Sequence, residues 1–265
     1  MTTTDTTRTG QTVRSIAYYR TPLPFGTLLR AHLRIWRAQR GVLIGGLVAM
    51  GAGVIGLIAA TASLTGRVTA ADVATHFGGF PVLAFSLIWL AVGGIAGASP
   101  FKSGWAPVVL TVAPRRGRWL TACLTSFLLL TLAVAVAFDL LAALVTAVVL
   151  ATKGQGLGPV SGLVKPALAI VLLVLIQAGV GFLLGAASRS VTAAIIIGYV
   201  VAPIIPAAKI GSVDLGRWLD LEGALTAVSS GHPSGGALAA AMTAILLWIG
   251  GPAVIAWSRL RKSIA

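Results

Sequence analysis

Acidic residues are scarce: six Asp and Glu stand against 20 Lys and Arg in a chain of 265 residues, a formal net charge of +14. Charged residues of either sign make up only 10% of the sequence, where a soluble domain carries about 25%. Cysteine occurs once, at Cys123, which excludes an intrachain disulfide and leaves no metal or redox spacing. The three histidines are scattered at His32, His76 and His232. With no His-Glu-x-x-His, no Gly-x-Ser-x-Gly and no paired carboxylates in the apolar segments, zinc, serine and carboxylate hydrolysis lack their parts. A Walker A loop is also missing. Lys102-Ser103 follows Phe101 and not a glycine-rich turn, so this chain cannot cradle ATP phosphates itself. No internal repeat is visible, and no polar region of about 50 residues could bury a core of its own.

What the chain has is apolar length. It is 57% hydrophobic, with a mean hydropathy of +0.96. Six stretches reach the roughly 20 residues needed to cross a hydrocarbon core: Val42–Leu64, Pro81–Ala98, Leu124–Ala151, Pro166–Ala187, Val191–Ala208 and Ala237–Trp257. The first is preceded by some 40 polar residues and is too long for a signal-peptide core, so it reads as a retained span. The expected fold is therefore an all-α membrane protein with six transmembrane helices. Residues 1–23, polar and Thr-rich, form a disordered tail in this reading, and residues 24–265 form one membrane domain.

In a soluble protein the positive charge would suggest a nucleic-acid partner. Its placement gives a different answer. Fifteen Lys and Arg fall in the N-terminal segment, the second-to-third and fourth-to-fifth connections and the tail; five (Arg67, Lys153, Lys165, Lys209, Arg217) fall in the other connections. The positive-inside rule then puts both termini in the cytoplasm, with no nucleic acid implied. Four of the six acidic residues (Asp72, Asp214, Asp220, Glu222) lie on the outer side.

Between Phe25 and Arg40, Leu29, Leu33 and Trp36 recur at helical spacing while Arg30, Arg34 and Arg37 share a neighbouring face. This predicts an amphipathic entry helix at the inner membrane surface, or else a soluble basic segment held by anionic lipid. Gly93 and Gly97, and Gly181 and Gly185, are GxxxG pairs that allow close helix packing. Pro203 and Pro206 should kink or end the fifth span. The following stretch to Gly236 sets Leu215, Trp218, Leu219, Leu221 and Leu225 against Asp214, Arg217, Asp220 and Glu222. That suits short helices at the outer leaflet, or a plain outer loop.

Asp139 is the one charge deep inside a span, and Gln177 is its nearest polar candidate by depth. The carboxylate is either a polar point on a transport path or proton relay, or one half of an interhelical hydrogen bond. Phe101–Leu124 is too apolar for a loop and too proline-interrupted for a span. Gly104 to Val112 suits a short helix leading to Pro114, Arg115, Arg116, Arg118 and Trp119; the alternative is simply the start of the third helix.

Taken with the entry helix, Ser188-Arg189-Ser190 after the fourth span and Trp218-Leu219-Asp220 before the last, this segment resembles the transmembrane permease subunit of type-2 ABC exporters, from about Phe25 onward. The chain departs from that family in lacking an acidic residue near Phe101 and a Lys near Cys123. The resemblance implies that segment 101–120 is a coupling element docking on an ATPase through Gly104, Leu110, Pro114, Arg115, Arg116 and Arg118. It further implies two copies of a cytosolic ABC ATPase holding ATP and Mg, a second permease copy or paralogue, and no cofactor or catalysis in this chain. It also implies a bacterial cytoplasmic membrane and export of an amphipathic drug, peptide or lipid-like cargo. Two other classes compete: an ion- or proton-coupled transporter using Asp139, and a non-transporting immunity or assembly protein.

Overall fold

A computed structural model describes residues 24–63, 72, 80–106, 116–154, 161–201 and 235–262. Eight α-helices account for nearly all of these: α1 (Phe25–Ala38), α2 (Arg40–Ser63), α3 (Phe80–Lys102), α4 (Arg116–Thr152), α5 (Ser161–Ser188), α6 (Val191–Ile196), α7 (Gly235–Ile245) and α8 (Gly251–Lys262). No strand occurs among the described residues. A π-helical turn, Ile197–Val201, continues α6, and a second, Leu246–Gly250, joins α7 to α8. Pro252 lies just past the second π turn and has no N–H for the carbonyl four residues back, a reason for the helix to widen there.

Four helical stretches are long and apolar enough to cross a membrane: Arg40–Ser63, Arg116–Thr152, Ala167–Ser188 and Leu238–Arg261. Leu87–Lys102 and Val191–Val200 are shorter apolar helices. Burial within α2 shows why such helices are not those of a soluble bundle. Its inward stripe is mainly small (Val42, Gly46, Ala49, Gly53, Leu57, Ala60). The outward face carries Leu43, Ile44, Leu47, Val48, Ile55 and Ile58, with Leu47 68% exposed. Water would drive these large side chains inward; hydrocarbon does not, and small residues then gain by close packing. The chain is a multi-pass helical membrane protein.

The tightest packing follows from the two glycine pairs. A methyl group added to Gly93 or Gly97 of α3 would lie 2.2 Å from the Ala178 carbonyl oxygen or 2.0 Å from that of Phe182. One added to Gly181 or Gly185 of α5 would lie 2.0 Å from the Leu90 oxygen or 2.3 Å from that of Gly94. The motifs therefore face each other, backbone on backbone, and α3 and α5 run parallel. Around this pair lie α2 and α4, joined through Phe85, Phe138 and Gly53, and α6, whose Ala194 meets Gly94.

Several expectations shift. The helix that carries the third expected span begins at Arg116, ahead of Leu124, so α4 runs 37 residues, about 55 Å, well beyond the roughly 30 Å hydrocarbon core. Arg116, Arg118 and Trp119 are thus the first turns of α4, the alternative reading of their segment. Helix α3 continues past Ala98 through Pro100 to Lys102. Pro100 cannot donate to Ala96, and the Ser99 hydroxyl bonds that carbonyl at 3.2 Å instead. The tail 1–23, the prolines 203 and 206, and the outer-leaflet helices of 209–234 lie outside the described residues.

Candidate functional site

At one end of the bundle the termini of five helices converge, and arginines join them. Arg116, at the start of α4, donates to the Leu260 carbonyl at 2.6 Å and to that of Arg261 at 3.2 Å, at the end of α8. Arg259 donates to the Ala187 carbonyl at 2.7 Å, at the end of α5. Arg189 donates to the Arg259 carbonyl at 3.2 Å and lies over the Phe101 ring at 5.3 Å. The last carbonyls of a helix have no intrahelical donor and carry partial negative charge, so guanidinium groups are the natural caps. Arg189 itself takes φ 56 in the two-residue turn between α5 and α6. The Ser188 hydroxyl lies 2.7 Å from the Leu184 carbonyl and 2.9 Å from that of Ser190, its one proton serving either, and Ser190 caps α6 by accepting from Ala193 N–H.

The entry helix docks on this end. Pro24 opens α1 in an extended conformation and Gln39 (φ −79, ψ 98) closes it, separating it from α2. Trp36 is 1% exposed and donates its indole N–H to the Ser126 hydroxyl at 2.8 Å. Its ring meets Phe127 and Phe182 edge-on. Gln39 bonds Ser99 Oγ at 3.0 Å, fixing the α1–α2 joint to the end of α3. Leu29 and Leu33 are half-buried, and Arg30, Arg34 and Arg37 are exposed, so the arginine face points away from the bundle.

The inward residue that hydropathy overlooks is His32. It is buried, with its ring edge-on to Trp105 at 5.6 Å and to Trp119 at 6.3 Å. Its spacing of four residues from Trp36 was the available signal. Burial pushes its pKa below the usual 6.5, only partly opposed by the hydrogen bond to the Leu28 carbonyl, so the ring is neutral at pH 7. Neutral, it donates from Nδ1 to that carbonyl at 2.6 Å, leaving Nε2 a buried acceptor without a partner. Trp119 Nε1, in the neighbouring ring, is a buried donor without one. Trp105 and Trp119 also meet, at 6.1 Å, and Phe101 stands edge-on to Trp119. A cavity of about 200 Å³ opens beside this cluster, lined by His32, Trp36, Gln39, Pro100, Ser103 and Trp105.

The residues of the expected coupling segment are therefore partly placed. Gly104 is exposed in a turn at φ +71, a conformation that suits glycine. Arg116 is engaged with α8, and Arg118 is half-buried on the first turn of α4. Leu110, Pro114 and Arg115 lie outside the described residues, as does most of the expected Gly104–Val112 helix.

The pairing of Asp139 with Gln177 does not form. Phe127 of α4 stacks on Phe182 of α5 at 5.6 Å, which aligns these antiparallel helices. From that level Asp139 is twelve residues further out and Gln177 only five, a mismatch of about 10 Å at 1.5 Å per residue. Gln177 instead sits in the core with its Oε1 unpartnered, while Asp139 is half-buried on α4. No metal-holding group of His, Cys, Asp or Glu occurs among the described residues. No protein-family model, no curated protein and no solved structure matches the chain.

Proposed function

We propose that the chain is the permease subunit of an ATP-driven exporter: six spans with both termini in the cytoplasm of a bacterial cell, paired with a second permease and powered by two copies of a separate cytosolic ABC ATPase. The observation that carries this reading is the junction of Phe101, Trp105, Trp119 and His32, where both flanks of segment 101–120 pack on the entry helix. A push on that segment would be passed to α1 and α4 together. Through the Arg116 bonds it would also reach α8. The arginine end is the inner one in this reading, in keeping with the excess of positive charge there.

The cycle follows from these connections. ATP closes the two ATPases, which draw on the coupling segments and on the exposed arginine faces of the entry helices. The permeases then move about their shared interface, and an amphipathic cargo held between apolar helices passes outward. ATP and Mg bind the partner; the chain supplies docking, transmission and the path.

The test is purification from native membranes in mild detergent. A stoichiometric ATP-hydrolysing partner should co-elute, and the double change Arg115→Glu with Arg118→Glu should release it while the permease still elutes as the wild type does. Arg116 is spared because it caps α8. A chain that moves cargo alone in liposomes under an ion gradient would overturn the reading in favour of secondary transport.

A further inference from the structure

We propose that the face of α4 around Asp139 binds a lipophilic cation, which names the cargo class of the exporter proposed above and rests on that reading. Asp139 is the only acidic residue in α4. The rotation of the helix there is set by the preceding residue, Phe138, which is buried and stacks on Phe85 at 4.6 Å. Asp139, about 100° further round, sits half-buried at the edge of that packed face. Beside it Val136 and Leu140 are 45% and 68% exposed on an outward apolar surface. Among the described residues it makes no hydrogen bond and no ion pair.

An ionised carboxylate at this depth is costly until an opposite charge or a donor reaches it. Three sources of a partner exist. Gln177, within the chain, is about 10 Å away in depth alone and belongs to the core. A second copy placed symmetrically, α4 on α4, would bring two carboxylates together and add like-charge repulsion. Elsewhere, the Lys and Arg of the described helices beyond α1 (Arg40, Lys102, Arg116, Arg118, Lys165, Arg259, Arg261 and Lys262) stand in the first or last two turns, away from the middle of a span. A cation with an apolar body supplies what is missing: its charge answers Asp139 and its hydrocarbon matches Val136 and Leu140.

The full chain, reconstituted without ATPase in nanodiscs of zwitterionic lipid, tests this with tritiated tetraphenylphosphonium read by scintillation proximity. Saturable binding is expected, competed by unlabelled cation and not by triphenylphosphine oxide, a neutral molecule of similar body. Asp139→Asn should weaken it by about tenfold or more, and Asp139→Glu should keep it, with both variants eluting as the wild type does. Equal binding by wild type and Asp139→Asn overturns the proposal. So does a change of oligomeric state that accompanies the loss, which would make the carboxyl an interface group, or misfolding of both variants, which would make it structural. If cation binding is absent but an ATPase still co-purifies, this inference alone falls. Cation binding with no ATPase leaves the site standing and removes the motor-driven reading.

Discussion

His32 and Trp36 occupy successive turns on one side of α1 and face the bundle together. Trp36 contributes ring contacts and a hydrogen bond worth about 1 kcal/mol. His32 makes the docking conditional on pH. Its pKa is lower docked than free, so the undocked helix takes up more protons as the medium is acidified. The contribution of His32 is fully present above the ordinary value near 6.5 and is lost as pH falls through that value toward the lowered one. A spin label at Arg37→Cys should therefore become more mobile between pH 7.5 and 5.5, and His32→Gln should flatten that response. A response unchanged in His32→Gln would show that another group controls the docking. Sequence reading identified Trp36 and the exposed arginines of this helix but not His32, because a polar residue on an apolar stripe lowers the very signal being read. The Asp139–Gln177 pairing failed for a different reason. Depth along a single span is legible in sequence, but the register between two spans is set by which aromatics and glycines meet across them.

At the scale of elements, the α3–α5 pair holds the molecule together by the absence of side chains. Gly97→Ala puts a carbon where the Phe182 carbonyl oxygen lies, so a backbone must retreat. Overpacking of this kind costs about 1–3 kcal/mol. Gly51→Ala, on the open face of α2 with nothing within 4 Å, should be tolerated. Melting followed by size exclusion in detergent should show a clear drop in Tm for Gly97→Ala and none for Gly51→Ala; equal melting of the two would refute the backbone contact. The glycine motifs were readable because their spacing is local. The start of α4 was not: hydropathy stops at a charge, whereas a helix continues through Arg116 and Arg118 when its first turn caps another helix and buries Trp119. Likewise Pro100 looks like a terminus until Ser99 takes the carbonyl it leaves.

For the whole molecule, large aliphatic side chains such as Leu47, Leu140, Leu168 and Leu246 cover the outward faces, while aromatics and small residues fill the interior, an outer surface suited to hydrocarbon. That arrangement was legible from composition. The convergence of helix ends was legible only as a count of arginines, and their work as caps needed three dimensions. Among the described residues, Arg116, Arg189 and Arg259 hold helix ends together. The most direct test is a photo-crosslinking amino acid at Ser103, an exposed residue beside the cavity and near the start of the proposed coupling segment. Irradiation of intact cells is predicted to give one major adduct, with a cytosolic protein that binds ATP. An adduct only with extracellular protein or lipid, or labelling at Ser103→Cys by a membrane-impermeant thiol reagent from outside the cell, would contradict the account.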